Sequence, residues 1–266
     1  MREKCVFVTV LAALIMVTSA GICNAQPEQL VVFADASLTG AFSEIGQICT
    51  DHNAGFVLLP SFDGIQALRS RIESNDYADI FVSDDKAQMD FLVTGEYLTS
   101  YHKLSRTDLS LIVPIGNPRN IQSLADLMKP ANSGMTIAIG SNTAPVGAYI
   151  RQMLNKLQQD SPDALDNAVL DESDTHDYPI VSRVADEQVD AGFSYTADVT
   201  KELSNQITKI EIPDEYNVDV DYYIGMLNGS SRHDLERPFF NIVENVEGKG
   251  VQILEDYGFE PIYEPE

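Results

Sequence analysis

The sequence predicts an α/β protein, because segments with the pattern of strands alternate with segments that have the pattern of helices. Short apolar runs, typical of buried strands, are each followed by apolar residues that recur at helical spacing. Turns join most of these pairs directly, which favours parallel sheets with helices packed on them. The 266 residues contain no repeat or long linker, and they suffice for one large core or two lobes.

The N-terminal segment has the pattern of a secretory signal peptide. Basic residues precede an apolar run from Val6 to Val17, and small residues follow it. Cleavage after Ala25 would make residues 1–25 the signal peptide. The alternative is a lipoprotein site that leaves Cys23 lipidated, although Ile22 is a poor residue before such a cysteine. Both interpretations predict an exported protein, periplasmic or otherwise extracytoplasmic.

The mature chain is strongly acidic. Removing residues 1–25 removes a net charge of +1 and changes the formal charge from −24 to −25. This charge argues against nucleic acid or an anionic membrane as the partner. Cys49 is the one cysteine left in the mature sequence, so we expect no intramolecular disulfide and a fold that depends on its core.

The first strand–turn–helix corner is the stretch VVFADASLTGAF, residues 31–42. Residues 30–33 predict a buried strand, and apolar residues from Leu38 onward recur at helical spacing. Ser37 therefore lies at or near a helix N-cap, where unpaired N–H groups and the helix dipole suit an anion. The alternative role for Ser37 is plain N-capping.

A second corner, PSFDGIQALRSRI, follows the strand at residues 56–59. Its helical stripe begins at Ile65, directly after a turn of residues 62–64. A third strand, residues 77–83, leads into a helix that opens with Asp84-Asp85.

The second half of the chain continues this pattern. A strand at residues 135–139 ends in GSNTAPVGAYIRQML, where Pro145 suits the first turn of a helix and Val146 follows it. The acidic segment that ends at Asp177 leads into another helix, and the strand at residues 190–195 ends at Tyr195. The remaining segments predict strands at residues 109–114, 207–212 and 218–227, a short helix at 123–128, and terminal helices around 239–246 and 251–257.

If these corners converge in a cleft, they present hydroxyl groups, backbone N–H groups and helix N-termini. Such neutral donors can hold a desolvated tetrahedral dianion through charge-assisted hydrogen bonds, without an arginine or a metal.

The motifs resemble those of the periplasmic molybdate-binding proteins of ABC importers. Residues 33–39 match F-A-x-A-S-L-T, and residues 78–90 closely resemble A-D-[IV]-F-x-S-A-D-x-x-x-M-D. Residues 144–149 are similar to V-P-A-G-x-Y, and residues 190–195 resemble the end of G-x-A-D-A-G-[IV]-V-Y. The resemblance extends over nearly the whole mature chain.

This resemblance implies a two-lobed type II periplasmic-binding-protein fold, in which each lobe is a mostly parallel sheet flanked by helices. Lobe I would comprise residues 26–111 and 216–266, and lobe II residues 112–215. The implied anion ligands, which lie between the lobes, are Ser37, Ile65, Val146, Asp177 and Tyr195. Ile65 stands where the family usually has a serine, so it offers only its backbone N–H.

The implied function is that of an extracytoplasmic solute-binding protein, which captures molybdate or tungstate and delivers the oxyanion to an ABC permease in the membrane. The resemblance implies no cofactor, no resident metal, no nucleic-acid partner and a monomer. The alternatives are another tetrahedral oxyanion, such as sulfate or phosphate, and a secreted enzyme. The sequence lacks the G-x-S-x-G, P-loop and H-E-x-x-H motifs, which argues against an enzyme.

Three further side-chain predictions follow from the sequence. His176 has no second histidine near it in sequence, which favours a solvated or structural role over metal binding. The carboxylates of Asp63 and Asp177 are expected to point to solvent, since the resemblance implies a backbone contact to the anion at Asp177. The pair Tyr222-Tyr223 resembles the iron-binding proteins of the same superfamily, but adjacent strand residues also point to opposite faces simply by packing.

Overall fold

The computed structural model describes residues 27–51, 55–141, 143–166, 168–172, 180–200 and 203–262. The predicted signal peptide, Cys23, His176 and Asp177 lie outside these ranges. The strands are β1 (Glu28–Asp35), β2 (Phe56–Asp63), β3 (Ile80–Ser83), β4 (His102–Thr107), β5 (Leu109–Pro114), β6 (Thr136–Ala138), β7 (Val169–Asp171), β8 (Ala191–Tyr195), β9 (Ile207–Glu211), β10 (Val220–Met226) and β11 (Glu260–Pro261). The helices are α1 (Thr39–Asp51), α2 (Ile65–Glu73), α3 (Lys86–Thr94), α4 (Leu124–Leu127), α5 (Pro145–Asp160), α6 (Ile180–Ala185), α7 (His233–Glu244) and α8 (Lys249–Asp256).

The strands form two sheets. One has six strands in the order β11-β4-β10-β3-β1-β2, and the other has five in the order β7-β6-β8-β5-β9. The chain passes from the first sheet to the second between β4 and β5, and it returns between β9 and β10. This arrangement confirms the α/β class. The lobe limits stay a prediction, and the limit between residues 111 and 112 falls inside β5.

Each sheet is mixed rather than mostly parallel, which corrects one part of the prediction. β1 pairs parallel with β2 and β3, and β6 pairs parallel with β7 and β8. By contrast, β5 and β10 run antiparallel to both of their neighbours. These two strands enter their sheets directly from the other sheet. A parallel pair within one sheet needs a crossover connection, usually a helix, and no such connection leads into β5 or β10.

The sequence did not predict β4, because HKLSRT is too polar to look like a buried strand. Its ladder partner β10 supplies the matching charges: the Lys103 ammonium lies 2.6 Å from a carboxylate oxygen of Asp221. Cross-strand pairs of opposite charge support such a strand although its apolar content is low.

A buried carboxylate in the ADIF motif holds the first sheet together. Asp79 is fully buried and accepts hydrogen bonds from the Val31 backbone N–H at 2.8 Å and from the Ser230 hydroxyl at 2.6 Å. Because its oxygens have partners, this carboxylate can be buried without a large penalty. The role of Asp79 is therefore structural.

Tyr222 and Tyr223 point to opposite faces of β10. Tyr222 packs in a core cluster that includes residues from both sheets, whereas Tyr223 belongs to a separate cluster with Phe33 and α2. This is the alternation expected of adjacent strand residues. None of the helices in the described part of the chain has the length and apolar character needed to cross a lipid bilayer.

Gly147, in the first turn of α5, allows that helix to touch the preceding turn. A Cβ atom at residue 147 would lie 1.9 Å from the carbonyl oxygen of Ser141 and 2.5 Å from that of Gly140. Real side chains do not tolerate such distances to backbone atoms. The glycine is therefore a packing requirement that sets where α5 begins.

We expect Gly147→Ala to lower the free energy of unfolding by about 1–3 kcal/mol, the usual cost of overpacking. Chemical denaturation would measure this loss. Gly229→Ala is the matched control, since no atom lies within 4 Å of a Cβ built there, and its stability should stay within about 0.5 kcal/mol of wild type. Equal stability of the two variants would contradict the close packing.

Candidate functional site

A cavity of about 930 Å³ lies between the two sheets. The ends of β1, β2 and β8 open into it, as do the first turns of α2 and α5. In open α/β sheets, ligands bind at the carboxyl ends of strands, where loops and helix N-termini meet. The position of this cavity therefore makes it the candidate site.

Four of the five predicted site residues line this cavity: Ser37, Ile65, Val146 and Tyr195. The first two belong to the part of the chain that forms the six-stranded sheet, and the other two to the part that forms the five-stranded sheet. The fifth, Asp177, lies outside the described residues. The structure thus brings together residues that are far apart in the sequence.

The first turns of α2 and α5 face the cavity without a capping side chain. Gly64 and Ala144 are their N-cap residues, and neither makes a side-chain cap hydrogen bond. Ile65 and Val146 lie in these first turns, where backbone N–H groups have no partner within the helix. Both helices therefore present donors and the positive ends of their dipoles to the site.

Asp63 also lines the cavity, contrary to the expectation that it points to solvent. Its Oδ1 atom accepts the backbone N–H of Gly64 at 2.7 Å. The backbone N–H of Gly64, the next residue in the chain, directs the Asp63 carboxylate to the start of α2. This contact keeps Asp63 in the cavity lining.

The two predicted hydroxyl donors are both engaged by carboxylates. The Ser37 hydroxyl donates to Oδ1 of Asp35 at 2.6 Å and lies 2.7 Å from the Tyr222 hydroxyl. The Tyr195 hydroxyl donates to Oδ2 of Asp84 at 2.7 Å. Asp35 itself caps the turn by accepting the Ser37 backbone N–H at 3.0 Å, so Ser37 is not the N-cap residue. An anion that takes these hydroxyl donors must compete with two carboxylates.

Sequence reasoning missed Asp35 and Asp84 as site residues. Both line the cavity. Asp35 ends β1 and Asp84 follows β3, and the carboxyl ends of such parallel strands are where α/β proteins bind ligands. The family pattern also has alanine at the position of Asp84. These two signals, taken together, would have pointed to Asp84.

Asp84 is nearly inaccessible, with 1% of its surface exposed. Burial raises the pKa of its carboxyl group well above the ordinary value, and the charge of Asp35 raises it further. The hydrogen bond from Tyr195 acts in the opposite direction. Oδ1 of Asp84 has no hydrogen-bond partner among the described residues.

Two hydrogen bonds that Asp84 accepts and one that Gln66 donates link the two sides of the cavity. The Tyr149 hydroxyl of α5 donates to the backbone oxygen of Asp84 at 3.1 Å, in addition to the Tyr195 bond. Farther out, the Gln66 amide donates to the backbone oxygen of Thr143 at 3.0 Å. None of the described residues that line the cavity is Lys, Arg or His. The site therefore relies on hydroxyl and N–H dipoles and holds carboxylates without a neighbouring cation.

Comparisons with known proteins identify the family of the chain. A sequence profile of the family described as bacterial extracellular solute-binding protein matches residues 30–260. The molybdate-binding protein ModA of Mycobacterium tuberculosis (strain H37Rv) is 30% identical to the chain over 231 residues, which cover 86% of this chain and 84% of that protein.

Solved structures share the fold at lower sequence identity. The periplasmic molybdate-binding protein of Azotobacter vinelandii has a TM-score of 0.69 at 17% identity, covering 89% of this chain and 100% of its own. The sulfate-binding protein SubI of M. tuberculosis has a TM-score of 0.73 at 14% identity, covering 88% of this chain and 87% of its own. At such identities the likeness concerns the fold alone.

The raised pKa of Asp84 predicts how stability depends on pH. Because the folded state holds the proton more tightly than the unfolded state, this residue stabilises the fold fully below its unfolded pKa, and that contribution is lost as pH rises through the folded pKa. We expect Asp84→Asn to unfold at a higher temperature than wild type in alkaline buffer, with a smaller difference near pH 4 (about the unfolded pKa). Thermal unfolding at several pH values measures this. A constant difference at all pH values would contradict the raised pKa.

Proposed function

The chain belongs to the bacterial extracellular solute-binding protein family, and on that basis we propose that it captures molybdate or tungstate in the cavity between its sheets and delivers the oxyanion to an ABC permease. The observation that supports the proposal is that four predicted anion ligands line this cavity, two from the part of the chain that forms each sheet. The name of the M. tuberculosis relative supports molybdate as the anion.

In the proposed complex, the Ser37 and Tyr195 hydroxyls turn from the carboxylates toward the anion. The backbone N–H groups at Ile65 and Val146 complete the contacts from the two helix starts. Asp177 is proposed to contribute its backbone N–H from the segment before α6. Charge-assisted hydrogen bonds of this kind are short and strong, which suits a dianion removed from water.

The proposal extends to the setting in which the protein works. We propose an exported monomer with no enzymatic activity and no nucleic-acid partner. Cleavage after Ala25 is the favoured processing step, and lipidation at Cys23 is its alternative. The two lobes are proposed to comprise residues 26–111 with 216–266, and residues 112–215.

We expect isothermal titration calorimetry to show one molybdate bound per chain, with tungstate competing for the same site. Sulfate and phosphate serve as controls that share the tetrahedral shape. Each must be added at concentrations that saturate a weak site, since the stabilisation from a ligand depends on its concentration relative to Kd. The proposal would be wrong if neither molybdate nor tungstate produced a binding heat or a shift in unfolding temperature.

Ser37→Ala and Tyr195→Phe should each weaken molybdate binding by about 1.5–3 kcal/mol, the range for hydrogen bonds to charged groups. Calorimetry measures the loss. Ser70→Ala and Tyr216→Phe are matched controls, because each also loses one hydroxyl hydrogen bond but lies outside the cavity lining. Unchanged affinity in both site variants would contradict the proposed ligands.

A further inference from the structure

We propose that Asp84 contacts the bound oxyanion and that the anion is captured together with one proton, which is held between Oδ1 of Asp84 and an oxygen of the anion. This inference rests on the proposed function and extends it by linking affinity to pH. It makes Asp84 a determinant of which oxyanions the site accepts and of the conditions under which it accepts them.

The geometry of Asp84 is the first argument. Its Oδ2 atom accepts the Tyr195 hydroxyl at 2.7 Å, while Oδ1 has no partner among the described residues although the side chain is buried. Asp84 also lines the cavity. A buried carboxylate oxygen without a partner is costly, and it calls for a hydrogen-bond partner that the described residues do not supply. Asp84 is thus a residue of the cavity lining, and one of its buried oxygens has no partner among the described residues.

Asp35 does not have this role. Its Oδ1 atom accepts both the backbone N–H and the hydroxyl of Ser37. Two further aspartates of the cavity lining also accept hydrogen bonds, Asp63 from the Gly64 backbone N–H at 2.7 Å and Asp198 from the Ser194 hydroxyl. Asp84 is therefore the carboxylate of the lining that has a buried oxygen without a partner among the described residues.

The groups around Asp84 favour its protonation when an anion arrives. The titratable groups that face it from the packed elements are Asp35, Asp85, Tyr149, Tyr195 and Tyr222. The carboxylates repel a negative charge on Asp84, and burial of the tyrosines raises their pKa values, so they stay neutral donors. A dianion placed in the same site adds further repulsion, which the carboxylate relieves by accepting a proton from water.

The proton balance of binding is simple. Above the folded pKa of Asp84, the empty site holds an ionised carboxylate to which the Tyr195 hydroxyl donates. When a fully deprotonated anion enters, one proton is taken from solvent and bridges Oδ1 of Asp84 and an anion oxygen. No bond other than hydrogen bonds forms or breaks. An anion that carries its own proton, such as hydrogen phosphate, supplies this proton itself and needs none from solvent.

The test is calorimetric titration of the wild-type protein with molybdate from about pH 6 to about pH 10, in pairs of buffers with different ionisation enthalpies. We expect uptake of up to one proton per anion and a Kd that rises by about tenfold per pH unit where uptake is complete. Asp84→Asn should bind molybdate with a pH-independent Kd and without proton uptake, since an amide cannot titrate.

Asp85→Asn is the matched control. It removes the same charge from the adjacent residue, but Asp85 caps α3 by accepting the Ala87 backbone N–H at 2.8 Å and does not line the cavity. We expect this variant to keep the proton uptake and the tenfold slope of wild type, with the profile displaced to lower pH because one repelling charge is gone. Thermal unfolding without ligand verifies that each variant is folded.

The outcomes separate the two proposals. Tight molybdate binding by wild type with no proton uptake and a flat pH profile would overturn the role of Asp84 and leave the proposed function intact. No molybdate binding at any pH would overturn both, unless phosphate binds instead. In that case the molybdate assignment alone would be wrong. Weakened phosphate binding by Asp84→Asn would then support Asp84 as the residue that holds the proton, whereas unchanged phosphate binding would overturn that role.

Discussion

The hydrogen bond from Tyr195 to Asp84 is the contact on which the site depends. It joins the end of β8, in the five-stranded sheet, to the residue that follows β3 in the six-stranded sheet. It is fully buried, and neither partner has a cation beside it in the described lining of the cavity. The same bond thus positions the two sides of the cavity and controls whether the Tyr195 hydroxyl proton is available to a ligand.

In the proposed function, the cavity must bind an anion inside a strongly negative protein. The chain is strongly acidic, and carboxylates line the site, yet the bound species in the proposed function is a dianion. Helix N-termini and hydroxyl groups offer attraction at short range, where dipoles are effective. At longer range the negative charge of the protein opposes the approach of an anion. Recognition must therefore come from precise short contacts and from the protonation state of the carboxylates.

Two buried aspartates show how differently the fold uses the same side chain. Asp79 receives donors from Val31 and Ser230 on its two oxygens, and it fastens β1 and the loop after β10 to the start of β3. Asp84, only five residues later, belongs to the cavity lining and has one buried oxygen without a partner among the described residues. The satisfied carboxylate stabilises the scaffold, and the unsatisfied one is the residue for which we propose contact with the ligand.

The sequence alone was enough to predict the α/β class, the positions of most helices and the segments that carry Ser37, Ile65, Val146 and Tyr195, because these depend on local periodicity and turn residues. It did not predict β4, whose polar residues need partners on β10, nor the mixed strand order, which depends on where the chain changes sheets. Only the tertiary structure placed Asp84 beside Tyr195, far away in sequence, and left one of its oxygens unpaired. Local patterns carry no information about such a contact, since burial and hydrogen-bond partners are decided by how distant segments pack.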